Sequence, residues 1–129
     1  MLRRKPPANA VESERLRRET TRMTADMLTR QDSFWPRLRA LLNERGVDVR
    51  TSHLVQLHTE DTDNWLGIVV TSQRRVLLFV YDHASTPENA GVLKRWQDLT
   101  DRETDIEFRA FADQIRCGLS MTSEGRLPN

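Results

Sequence analysis

The rhythm of apolar and polar positions changes three times along this chain. From Asn9 to about Arg30 the apolar positions are sparse. Leu16, Thr20, Met23 and Met27 recur in steps of three and four, one thin stripe of a helix capped by Asn9 with Glu12 three residues later. A short amphipathic helix is expected next, with Ser33 as cap, Pro36 in the first turn and Leu38, Leu41 and Leu42 on the buried side. Gly46 takes the left-handed place just past its end.

From Val47 to Thr59 the rhythm shortens to two. Val47, Val49, Thr51, His53, Val55 and Leu57 share one face, and Asp48, Arg50, Ser52, Leu54, Gln56 and His58 the other, which predicts a long half-exposed strand. Trp65 to Thr71 reads as a second strand. Val76 to Tyr81 reads as a third, six consecutive apolar residues with oily side chains on both faces. The polar cluster Glu60–Asn64 and the tight connection Ser72–Arg74 join these runs, and such short links favour an antiparallel meander.

The helical rhythm then returns. Ser85 or Thr86 caps a helix with Pro87 and Glu88 in its first turn and Val92, Trp96 and Leu99 on its buried side. Thr104 and Glu107 frame a second capping box. The helix it opens carries Phe108, Phe111, Ile115 and Leu119 on one face and a weaker stripe, Ile106, Ala110, Cys117 and Met121, on the other.

The pattern predicts one α+β domain over residues 9–122: two N-terminal helices, a three-stranded antiparallel β-meander and two C-terminal helices. A flexible basic tail, residues 1–8, precedes it and a flexible tail, residues 123–129, follows. Composition fits a small globular unit, with 37% hydrophobic and 30% charged residues, too apolar for a disordered chain. The net charge of +1 points to no nucleic-acid or membrane partner by itself. Its distribution is uneven. Residues 1–45 hold 11 basic against 6 acidic residues and residues 46–129 hold 9 against 13, so the halves attract each other. One cysteine excludes an intrachain disulfide. With no apolar run behind the basic start and none long enough for a membrane span, a cytoplasmic protein is expected.

Three kinds of chemistry are expected in turn. A third strand at the edge of a meander, greasy on both faces, calls for a partner, and so does the second stripe of the last helix. The leading expectation is therefore a non-enzymatic protein-interaction or regulatory module, a homodimer or the receptor of another protein, touching its partner through Phe79, Tyr81, Ile106, Cys117 and Met121. The alternative is nucleic-acid binding, with Arg3, Arg4, Lys5, Arg15, Arg18 and Arg22 on phosphates. Acidic residues one helical turn away from several of these arginines oppose it. The third is a metal-dependent enzyme using His58, Glu60, Asp82 and His83, which a meander brings to one end of the sheet. No metal-ligand spacing, glycine-rich phosphate loop or nucleophile elbow supports it, and no cofactor is expected.

Overall fold

The computed structural model describes residues 6–32, 34–83, 91–101 and 109–124. Helix α1 spans Pro6–Thr29 and α2 Phe34–Glu44. A 3-10 turn covers Val49–Thr51. Strands β1 (His53–Thr59), β2 (Asn64–Val70), β3 (Val76–Asp82) and β4 (Val92–Asp98) follow, and α3 runs over Ala112–Glu124. The strands form one antiparallel meander in the order β1-β2-β3-β4. The α+β class stands, with four strands where three were expected. No helix among the described residues is long and apolar enough to cross a membrane.

The largest correction concerns residues 92–99, read as helical and in fact β4. A bulge explains the error. Tyr81 pairs with Leu93 and Val80 with Arg95, so β4 has one residue more than β3 over this stretch. Leu93 and Trp96, three apart, therefore face the same core, a spacing that imitates a helix. The consequence for β3 is direct. It is an interior strand, with β2 on one side and β4 on the other, and its backbone ladder is satisfied within the subunit.

Both faces of β3 are sealed as well. Leu77, Phe79 and Tyr81 enter a core with Leu38, Leu41 and Leu42 of α2 and Met27 of α1. Val76 and Leu78 enter a second core on the opposite face with Leu66, Ile68 and Val70 of β2 and Ile115 of α3. Each large side chain fully buried this way contributes about 1.5–3 kcal/mol. At Gly118 the backbone of α3 presses on the sheet so closely that a Cβ there would lie 2.4 Å from Val55 Cγ1.

The first strand is shorter than its alternation suggested. Asp48 accepts from the Arg50 backbone N–H through its carboxylate, and its carbonyl accepts from Thr51 N and the Ser52 hydroxyl. This local turn outcompetes the strand up to Ser52, although Val47 and Val49 are both buried. A bulge also interrupts β1 between Leu54 and Gln56. It shifts the parity, so Leu54 and Leu57 share the α2 core while Val55 joins the α3 core. His53 and His58 pair with Val70 and Leu66, both on the α3 face, so they share a face, contrary to the simple alternation.

Helix α1 begins at Pro6, three residues before the expected cap; Met1–Lys5, the Ser33 cap, the Ser85–Glu88 start and the Thr104–Glu107 box lie outside the described residues. Its thin stripe is buried as expected at Leu16, Thr20 and Met27. What the stripe covers is the sheet edge. Thr24 Oγ1 accepts from Leu54 N at 2.9 Å, closing an outward backbone donor of edge strand β1. The same helix meets α2 on one side and α3 on the other. The opposite edge, β4, carries a bulge and the charged pair Lys94–Arg95, both of which discourage strand addition.

Candidate functional site

The reasons the sequence offered for self-association are met inside the subunit. Phe79 and Tyr81 are completely buried, so neither offers a contact surface, because β4 and α2 supply the cover that an edge position would have lacked. Cys117 and Met121 are half-buried and face α1: Thr20 Oγ1 lies 4.0 Å from Cys117 Sγ, which lies 3.9 Å from Met121 Sδ. Ile106 lies outside the described residues.

The arginines of α1 are held by acids. Arg15 pairs with Glu12 and Glu19, Arg18 with Glu14 at 3.7 Å and Arg22 with Asp26 at 3.6 Å. Arg15, Arg18 and Arg22 are exposed, so these pairs add little to the stability of the fold. Their effect on function is larger, because a phosphate would have to displace a carboxylate at each. Arg3, Arg4 and Lys5 lie outside the described residues.

The metal cluster does not assemble. His58 Nε2 lies 3.9 Å from Glu60, and its ring packs near Phe111 on the α3 face. Asp82 turns to Lys94 of β4, at 4.0 Å. His83 follows Asp82 and so takes the other face, where its ring lies 5.1 Å from that of Phe34. Among the described residues no three histidines, cysteines or acids gather to hold a metal. The acidic turn is structural. The Asn64 side chain, then the backbone N–H groups of Asp63 and Asn64, donate to the Asp61 carboxylate and hold it below the usual range.

Phe34, the first residue of α2, gathers the rings of Trp35, Trp65, Tyr81 and His83 at centroid distances of 4.9–5.1 Å. The Tyr81 hydroxyl donates to the Phe34 carbonyl at 3.1 Å. Burial, partly offset by the charge of Arg37, pushes the Tyr81 phenol up to about 12. The unfolded chain releases this proton near 10, so between about 10 and about 12 only the unfolded state ionises, and the fold loses stability as the pH rises through that window. Tyr81 is the only tyrosine, so phenolate absorbance reads it directly. The native chain is expected to titrate near 12 and the urea-unfolded chain near 10. Coincident curves would place the hydroxyl in water.

A cleft lies at the other end of the sheet. Helix α2 ends at Glu44, two residues before Gly46, whose φ of 88° lets Gly46 N and Val47 N donate back to the Asn43 and Leu42 carbonyls. This turn leaves Arg45 over β4, its guanidinium carbon 5.1 Å from the centre of the Trp96 ring. Trp96 in turn stacks on Phe79, ring centres 6.5 Å apart. Between Arg45, the 3-10 turn and the β2–β3 connection lies a cleft of about 410 Å³, in the size range of ligand sites. Val47, Leu77 and Trp96 supply its apolar surface; Thr51, Ser52, Thr71, Ser72, Gln73, Arg75 and Asp98 its polar one.

That connection is rigid. Thr71 Oγ1 accepts from the backbone N–H of Gln73 and of Arg75, Arg74 adopts φ 65°, and Arg75 pairs with Asp98. A second cavity of about 590 Å³ shares Gly46, Val47 and Asp48 with the first and adds Leu28, Arg39, Asn43, Val49 and Arg50. The two adjoin along this shared segment, and the groove they make is lined, among the described residues, by four arginines, Arg39, Arg45, Arg50 and Arg75, against two aspartates, Asp48 and Asp98. Among the described residues no histidine or cysteine lines it, and the Ser52 hydroxyl is spent on the Asp48 carbonyl. Its guanidinium and hydroxyl groups are able to bind an anionic ligand.

This site was beyond the sequence reading, which assigned Trp96 to a helix core. The only local signal was Arg45 placed before a helix-ending glycine. Compared with known proteins, the chain matches no family model, no curated protein and no solved structure.

Proposed function

We propose that this chain is a non-enzymatic protein-interaction module that docks an acidic protein segment in the groove running from Arg50 past Gly46 to Arg75. The observation behind this reading is the groove itself: two adjoining cavities, apolar at the floor, with basic residues in excess at the rim. Complementary charge of this kind sets partner choice and encounter rate more than raw affinity. An excess of two positive charges suits a short acidic peptide better than nucleic acid, whose interfaces are far more basic. Trp96 is also engaged already, by the Phe79 ring and by the Arg45 guanidinium, which disfavours it as a base-stacking platform.

The test is a backbone amide NMR titration of the full chain with three probes: a glutamate-rich peptide, a lysine-rich peptide and a single-stranded oligonucleotide. Shifts clustered at residues 45–52 and 71–75 with the acidic peptide alone are the expected result. Scattered shifts, no shifts, or a stronger response to the oligonucleotide would overturn the reading.

A further inference from the structure

Arg45 differs from the arginines around it. Arg75 is paired with Asp98 and Arg50 with Asp48, while Arg39 donates to the Met27 and Arg30 carbonyls at the end of α1. The Arg45 guanidinium has no carboxylate or carbonyl partner among the described residues. The guanidinium carbon lies over the Trp96 ring, 5.1 Å from the centroid. Across the same cleft the Gln73 carboxamide is likewise without a hydrogen-bond partner among the described residues, and the Ser72 hydroxyl lies 3.4 Å from that of Thr51. Arg45, Ser72 and Gln73 are all exposed, so a ligand can reach their donors, and a guanidinium presents a fork of N–H groups that matches a planar oxyanion.

We infer that Arg45, with Gln73 lining the same cleft, forms a carboxylate-binding site that anchors a glutamate or aspartate side chain of the docked segment. This rests on the interaction-module reading above. The charge around the site selects a carboxylate over a phosphate. Arg50 and Arg75 are already committed to Asp48 and Asp98, which leaves one uncommitted cation among the described residues of the groove, at the carbonyl end of α2, and a single cation there balances a monoanion better than a dianion. The planar, two-pronged match of guanidinium to carboxylate also makes lysine a poor replacement.

The experiment is a titration of the full chain with the glutamate-rich peptide, its glutamine counterpart and inorganic phosphate, following the Arg45 side-chain Nε–H signal. The acidic peptide is expected to move that signal, and the glutamine peptide and phosphate to leave it in place. Arg45→Ala and Arg45→Lys are expected to weaken binding by about tenfold, against a small change for Arg50→Ala. Arg45 is exposed, and thermal melts of the variants confirm that the fold is kept. If the cleft amides respond with undiminished affinity in Arg45→Ala, the anchor is wrong and the docking groove stands. If no cleft amide responds to the peptide in the unsubstituted chain, both fall. A larger response to phosphate would overturn the carboxylate assignment alone.

Discussion

Truncating Phe79 to alanine is expected to remove about 3–5 kcal/mol of folding stability. The ring is fully buried at the middle of β3, beneath α2, with Gly67 of β2 against it and Trp96 of β4 stacked on it. Its neighbours belong to three strands that are hydrogen-bonded to one another, so they cannot collapse into the space it leaves. A domain of this size is held by about 5–15 kcal/mol in total, so the variant should lose a large share of its cooperative transition. Urea denaturation of the variant and of Val11→Ala, an exposed control on α1, measures the effect. A loss below about 1 kcal/mol would mean that the site collapses freely and that the packing described is loose.

Adding a methyl group opposite that ring is expected to be nearly as harmful. A Cβ on Gly67 would lie 2.3 Å from Phe79 Cζ and under 3.0 Å from both Cε atoms. The ring has nowhere to retreat, because Trp96 lies along it. Gly67→Ala should therefore cost about 1–3 kcal/mol through overpacking, despite the better strand propensity of alanine. The cause is separable from backbone effects by a double-mutant cycle. In a Phe79→Leu background the same substitution should cost less, with a coupling of about 1 kcal/mol or more. An unchanged cost in that background would assign the loss to the β2 backbone instead.

These two residues also show which parts of the fold were legible. Six apolar residues from Val76 to Tyr81 announced a strand needing cover on both faces, and the structure supplies it. The short polar links announced the antiparallel order, and Gly46 announced the end of α2. Bulges were not legible, since an unpaired extra residue has no signature in the order of side-chain types. The one in β4 disguised a strand as a helix and moved β3 from the edge to the interior. The one in β1 put His53 and His58 on a common face. The groove was hidden for the same reason, since it joins the end of α2, the β2–β3 connection and β4. The His58 and His83 pairing failed on the two-residue repeat of β3, which sends Asp82 and His83 to opposite sides.

The position of α1 sets a schedule for biosynthesis. This helix leaves the ribosome before the sheet and α3, yet Thr20 meets Cys117, 97 residues further along. At about 5–20 residues per second, translation separates the two by roughly 5–20 s. Through that interval the meander can pair its neighbouring strands, while the helix destined to close the β1 edge still lacks half of its seat. The seating of α1 therefore completes only after α3, made later, has arrived.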